Sequence, residues 1–481
     1  MISIAEERII LVLVDFLWAY NWMFNNSLVR SNKSSIQTHE LHTNVFCLSQ
    51  RLWTTESLPK KHSIVYDCLV DHTEAALHVI KTLVDAGHIA YFAGGWVRDY
   101  VMKRPSDDID IATSASVKQV QSLFKRTVPV GVAFGIVIVV IGKHQFEVAT
   151  FRKDRGYVDG RRPTGIDPAD PEEDAKRRDF TINGLFYDPL HDKIYDYVGG
   201  LADIKKGVIR AIGNPTDRFT EDRLRMMRAV RYSTRFNFPI ESDTLQAILQ
   251  LASTLLPSVA MERVWQEFKK MSQFAHFDTG LVTLHELKIL PTIFPQLQKL
   301  STQEIQTRVD LLSQFPKEAP TIAELLELFP NISLQEALDL CDMLKLSKED
   351  RSFVEFYLHA KRLIDLPSSW QNKLEPVEWA HLYSHRHSEL VLSIIACHFS
   401  QKEKEKFLLD HRHYRQKLHQ AILRIQTGEP LVRAEHLMAE GIKPGKQLGL
   451  LLKEAERISI NEEIEVRDQI IDRLKKSSLW I

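Results

Sequence analysis

The chain holds 481 residues, 44% of them hydrophobic and 26% charged, with a formal net charge of −1. That length predicts several domains, and the composition is that of an ordinary globular protein, which excludes a disordered or fibrous chain. A charge near zero excludes a wholesale basic binder of nucleic acid, so any basic surface must be local. Cys47, Cys68, Cys341 and Cys397 lie far apart with no C-x-x-C pairing. They argue against a zinc ribbon or a disulfide framework and for a reducing, cytoplasmic location.

Residues 9–24, IILVLVDFLWAYNWMF, are nearly all apolar but carry Asp15 and Asn21. The run is short for a span, and neither a basic flank nor a cleavage site makes it a signal peptide. The expectation is a helix packed on the body, or a start codon placed too far upstream, without stable membrane association; the alternative reading is a membrane anchor. Residues 25–62 read as a polar linker. Residues 72–87 have helical spacing, HIAYFAGG reads as a strand entering a glycine turn, and WVRDYVMK opens a helix. DDIDIAT is a short strand, residues 114–124 a helix, and FGIVIVVIG and QFEVATFR two β-branched strands. Residues 152–176, rich in Gly, Pro and charge, read as a mobile loop. After residue 215 the pattern is helical, with Pro-marked breaks, and the charged stretch near 450–476 reads as a solvated surface helix.

Side chains alternate across a strand, so Asp108 and Asp110 face one side and Ile109 the other. Two carboxylates about 6–7 Å apart on one face suit a hard cation such as Mg²⁺, which removes their mutual repulsion. Asp107 faces away. In QFEVATFR, Glu147 lies between apolar Phe146 and Val148. It is either a third acid of the same site or a surface acid on an edge strand. Upstream, Gly94 and Gly95 at a strand-to-helix turn let backbone N–H groups approach a phosphate, and Arg98 adds a fixed charge. Glycines, arginine and paired carboxylates together describe a site for a metal–triphosphate.

Two arginine-rich stretches follow. KRRDFTING contains Arg177, Arg178, Asp179 and Asn183; a guanidinium fork makes bidentate bonds to phosphate, although a helix start with a surface ion pair has the same look. In DRFTEDRLRMMRAVRYSTR six arginines and no lysine fall within residues 218–235. A solvated face normally mixes Lys and Glu. Asp222, Arg225 and Arg228 share a side of the expected helix, and Arg231 has turned away.

The ordered set GGWVRD, DDIDIAT, FEVATFR, RRDFTING, DYVGG, GVIRAIGNP and EDRLRMMRAVR resembles the class II tRNA nucleotidyltransferase and bacterial poly(A) polymerase family, densely over residues 70–240. The resemblance implies an α+β, polymerase-β-like head with a mixed sheet, followed by helical parts. The expected division is an unassigned extension over 1–65, the head over 66–210, a base-reading neck over 211–275, a body over 276–430 and an RNA-binding tail over 431–481. Asp108 and Asp110 match the family's metal-binding carboxylates, holding Mg²⁺, with Glu147 beside them as a catalytic acid. Gly94, Gly95 and Arg98 match the triphosphate positions, and Arg178, Asp179 and Asn183 the phosphate and ribose contacts. Asp222 and Arg225 match the pair that reads the incoming base, with Arg228 and Arg231 as further ATP/CTP-site arginines. The loop 152–176 resembles the element that switches the pocket from CTP to ATP. Trp96 stands where the family has a small residue, which would crowd the glycine turn, and Arg223 where it often has proline or alanine.

The implied activity is template-independent addition of C and A to the 3′ end of tRNA from ATP and CTP. The alternatives are a poly(A) polymerase and an enzyme adding only A or only CC. GIKPGKQLGLLLKE, residues 441–454, resembles the tail motif of the tRNA enzymes, except that Lys446 follows Pro444-Gly445 where proline is usual. No basic C-terminal extension of the poly(A) polymerase kind is present, and both points favour tRNA. A phosphohydrolase would need spaced His and Asp on helices, but the His191-Asp192 pair stands alone and reads as a turn. An inactive RNA-binding module would have lost the D-x-D or the E-D-x-x-R, and both are intact. His381, His385 and His387 read as exposed surface neighbours.

Overall fold

The computed structural model describes residues 71–157, 163–364 and 374–480. The apolar run 9–24, the linker 25–62, Cys47 and Cys68 lie outside them. The first helix, α1 (His72–Asp85), buries Ala75, Ala76, Val79, Ile80 and Leu83, one face of a 3.6-residue repeat. Strand β1 (Ala90–Ala93) then runs through Gly94 into α2 (Gly95–Val101). Strand β2 (Asp110–Thr113) is shorter than DDIDIAT suggests, because its ladder with β1 begins at the pair Ala93–Asp110. A capping box between Ser116 and Gln119 starts α3 (Val117–Leu123).

The sheet is completed by β3 (Thr127–Val128), β4 (Ile136–Ile141), β5 (His144–Thr150) and, later in the chain, β8 (Leu185–Asp188) and β9 (Lys193–Asp196). Its order is β3-β4-β5-β2-β1-β8-β9. Only β2 and β5 pair in parallel, so the sheet is mixed. Phe92, Ile111, Val137, Phe146 and Val148 share one buried cluster with α1. Alternation sends Ala93, Ala112 and Phe186 to the other face, where they pack with Phe151 and Ala175. The acids belong to that second face.

Residues 152–176 are not a structureless loop. Strands β6 (Arg152–Tyr157) and β7 (Pro163–Pro168) form a two-stranded antiparallel ribbon in which Arg152 faces Pro168 and Asp154 faces Ile166. Helix α4 (Pro171–Lys176) follows, capped by Asp170, which accepts the Glu173 N–H at 2.8 Å. A ribbon outside the sheet needs no apolar alternation; a cross-strand ion pair between Arg155 and Asp167 braces it instead. Both prolines sit at the ends of β7, where a missing N–H costs little.

Beyond residue 215 the described chain is helical. Helices α5 (Pro215–Glu221) and α6 (Leu224–Phe236) are separated by Asp222, and α7 (Met261–Met271) packs along α6. One continuous apolar cluster runs from Phe180 and Ile182 through Phe268 and Tyr357 to Trp379 and Ile422. A second, separate cluster gathers Leu437, Leu451, Ile458, Ile470 and Leu474. The stretch 450–476 is thus two helices with a buried seam, not one solvated helix. Among the described residues no helix is long and apolar enough to cross a membrane. His381 is paired with Glu456 at 2.9 Å, and His385 stacks on Phe356 with ring centres 3.7 Å apart.

Candidate active site

A cleft of about 880 Å³ opens between the sheet and helices α6 and α7. All thirteen residues singled out in the sequence line it, although they come from stretches up to 137 positions apart (Gly94 to Arg231).

The acid wall lies at the edge of β2 and β5. The parallel register that pairs Ile111 with Val148 brings Asp110 beside Glu147. Asp108 precedes the ladder, yet the chain is already extended there: Ile109 is buried and Asp108 faces the cleft with Asp110. Asp107 is exposed and does not line the cleft. Burial pushes the Asp110 carboxyl up to about 7, with Glu147 and Asp108 adding repulsion and Arg178 opposing it. Burial and Asp108 push Glu147 up as well. Among the described residues no three acids, histidines or cysteines stand close enough together to hold an ion by themselves. That pattern fits Mg²⁺, which is bound through one or two carboxylates and completes its shell with water and substrate phosphates.

The phosphate corner is built on the glycine turn. Gly94 has φ 66°, a conformation that favours glycine, and a Cβ there would also press on Arg178 Nη1 at 2.9 Å and displace that guanidinium. Gly95 has more room, its nearest neighbour Arg98 Nη2 lying 3.6 Å from a Cβ position. Trp96 does not crowd the turn. Its indole stacks on Tyr100 at 5.2 Å and meets Phe92 edge-on at 5.0 Å, on the apolar side of the sheet. Arg98 is 2% exposed; it donates to both oxygens of Asp99 at 2.9–3.0 Å and to Asn183 Oδ1 at 2.6 Å, and lies over the Phe236 ring. Arg178 donates to Asp174 Oδ2 at 3.0 and 3.2 Å and to the Asn183 carbonyl at 3.3 Å. Asp174 is fully buried and also accepts Arg177 Nε at 2.8 Å and the Arg152 N–H at 3.2 Å.

The third wall belongs to α6. Asp222 is not on that helix. Its backbone is extended, and its Oδ1 accepts the Leu224 N–H at 3.1 Å, so it ends one helix and starts the next. Arg225 donates to Glu221 Oε2 at 2.7 Å and to the carbonyls of Arg218 and Arg177 at 3.1 and 3.2 Å. Arg228 forks onto Asp179 Oδ2 at 2.8 and 2.5 Å. Burial alone would raise the Asp179 carboxyl, but Arg228 and the Asn183 amide hold it well below the usual carboxylate range. Arg231 is buried and paired with Glu267 at 2.6 Å. Arg223 points elsewhere, to Thr254 Oγ1 at 3.0 Å.

Sequence reading missed the fourth wall. Arg263, Lys270, Gln273 and Phe274 come from α7 and its C-terminal end, and Arg235 from the last turn of α6. Arg263 donates to Asp222 at 2.8 and 3.3 Å. The stretch MERVWQEFKKM reads only as an amphipathic helix, so no local signal singles these residues out.

A mixed sheet carrying acids on neighbouring strands, beside a glycine turn and an arginine-lined cleft, defines a nucleotidyltransferase with a polymerase-β-like head. Two family models match: the Poly A polymerase head domain over residues 90–210, and the probable RNA and SrmB-binding site of polymerase A over residues 237–300. The CCA-adding enzyme of Bacillus subtilis is 40% identical over 284 residues, 56% of this chain and 71% of that protein. The CCA-adding enzyme of Streptococcus suis is 31% identical over 418 residues, 84% and 97% of the two chains. The structure of the Bacillus stearothermophilus CCA-adding enzyme in complex with CTP superposes with a TM-score of 0.69 at 27% identity, covering 85% of this chain and 99% of that one. The chain belongs to the CCA-adding enzyme family.

Proposed function

We propose that this protein is a template-independent RNA 3′-terminal nucleotidyltransferase that adds C, C and A to tRNA, using CTP and ATP and releasing pyrophosphate. The observation that carries this reading is that one cleft joins the acid wall to the pair Asp222 and Arg225. A carboxylate accepts a hydrogen bond from the exocyclic amine that cytosine and adenine both carry. Uracil and guanine present an oxygen there, and two acceptors repel. Arg225 donates to the adjacent ring nitrogen. The pair therefore admits CTP and ATP without a nucleic-acid template.

In the reaction the 3′-hydroxyl oxygen of the RNA bonds to the α-phosphorus, the bond from that phosphorus to the bridging oxygen of the β-phosphate breaks, and the pyrophosphate leaves. Arg98 and Arg178 bind and neutralise the triphosphate, and the Gly94–Gly95 turn lets it approach the backbone. Asp179 and Asn183 tie the arginines together from behind, and Arg228 and Arg231 set the floor of the base site. Asp108 and Asp110 would hold Mg²⁺, with Glu147 beside them as a further acid of the same wall. Such a cation, when bound, supplies charge neutralisation at the phosphates and acidifies the attacking hydroxyl. RNA would lie on the helical part through its phosphates, with affinity falling as salt rises.

The test uses a tRNA transcript lacking its last three nucleotides, incubated with protein and Mg²⁺, and sequencing of the 3′ end. Growth by C-C-A that then stops is expected with CTP and ATP together. A long A tail from ATP alone would overturn the reading in favour of a poly(A) polymerase. A single A placed only on tRNA already ending in C-C would mean a division of labour with a second enzyme.

A further inference from the structure

The two base-reading groups carry opposite charge and stand three residues apart in sequence, the Arg225 backbone N–H donating to the Asp222 carbonyl at 3.0 Å, so Coulomb attraction favours their side chains pairing. If they did, neither would be free for a base. Each is instead held by an outer counter-ion. Glu221 takes Arg225 at 2.7 Å, and Arg263 takes Asp222, Nη2 to Oδ2 at 2.8 Å and Nη1 to Oδ1 at 3.3 Å. An ionised carboxylate offers about four lone-pair positions. On Asp222 the Arg263 fork and the Leu224 N–H fill three, and the one left is on Oδ2. Four residues further along α7, Glu267 is taken by Arg231 at 2.6 Å, so the i+4 acid does not compete with Asp222 for Arg263.

We propose that Arg263 is a specificity-determining positioning residue: its fork sets the plane of the Asp222 carboxylate and keeps it from Arg225, so that a single acceptor faces the incoming base. This rests on the assignment of Asp222 and Arg225 as base readers. Arg263 makes no bond to the reacting atoms. Its removal frees the carboxylate to turn onto Arg225, which costs affinity for the correct nucleotide more than for the wrong one.

The experiment compares kcat/KM for CTP and UTP on the same truncated tRNA for wild type, R263A, R263K and D222A, with melting curves for each. R263A is expected to lower the CTP/UTP ratio on the order of tenfold, the worth of one charge-assisted hydrogen bond, mainly through KM for CTP. R263K should recover part of the ratio, because an ammonium supplies a donor but not a fork. A ratio for R263A within about twofold of wild type, with kcat alone reduced, would overturn the proposal. Should R263A fail to fold, R263K decides: a wild-type ratio with lysine overturns the requirement for a fork. D222A separates the two levels. If D222A collapses the ratio and the Arg263 variants do not, only the role of Arg263 falls; if D222A also leaves the ratio intact, the base-reader assignment falls with it.

Discussion

The acid wall of the sheet and the arginine row of α6 meet across one cleft, but their electrostatics are opposite. On the sheet, like charges crowd together: beyond burial, Glu147 and Asp108 raise the proton affinity of Asp110 and Asp108 raises that of Glu147, with Arg178 as the opposing charge at Asp110. On α6 the arginines are paired with carboxylates: Arg225 with Glu221, which it shares with Arg218, Arg228 with Asp179 and Arg231 with Glu267. Under the proposed reading the first arrangement suits a centre that takes up a metal–triphosphate, whose cation offsets the crowded carboxylates. In the second the arginines are already held by protein partners, so under the proposed reading little is left to reorganise when a base arrives.

Removing a carboxylate from the acid wall breaks the contrast most severely. D110A should retain the fold and lose nucleotide addition to below about 1% of wild type; activity above that level would argue against the metal assignment. On the arginine side the loss should appear in stability. E267A strands the buried Arg231 guanidinium, and unfolding by denaturant should report a loss of about 3–5 kcal/mol. A variant as stable as wild type would mean that the arginine row is not locked as described.

The contrast is sharpened by pH. Asp110 has a folded-state carboxyl raised to about 7 against an ordinary value of 3.8. The folded chain therefore holds that proton more tightly than the unfolded chain, and stability is lost as pH rises from about 4 through 7. In metal-free buffer D110N should melt above wild type at pH 8, and the difference should vanish near pH 4. Equal melting temperatures at pH 8 would show that the wall carries no such stress. The smallest effect is expected at the exposed pair Lys176–Glu172, where K176A should leave the melting temperature unchanged within error.

Much of this site is legible in the sequence, for local reasons. The alternation D-I-D places two carboxylates on one face even though Asp108 precedes the ladder, because the chain is extended before pairing begins. The paired glycines announce a turn, and Gly94 takes the positive φ that favours glycine there. Other features were readable but pointed elsewhere than composition alone suggests. Asp170-Pro171 is a cap followed by a first-turn proline, a helix start inside what looks like loop. Asp222 lies just before the apolar spacing of α6 begins, where an acid caps rather than joins a helix. The remainder is tertiary. Arg263 sits on a helix whose spacing reports only that it packs, and Phe274 lies just past its end; their meeting with Asp222 and Arg235 depends on how two helices lie side by side.

The buried carboxylate of Asp174 holds three things at once: the guanidinium groups of Arg177 and Arg178 and the backbone N–H at the root of the β6–β7 ribbon. Under the proposed reading, in which Arg178 binds the triphosphate, a ligand that draws this arginine toward its oxygens works against the same carboxylate that anchors the ribbon. Ligand and ribbon would then be thermodynamically linked: whatever factor a shift of the ribbon added to nucleotide affinity, nucleotide binding would return as an equal factor in the ribbon's own equilibrium.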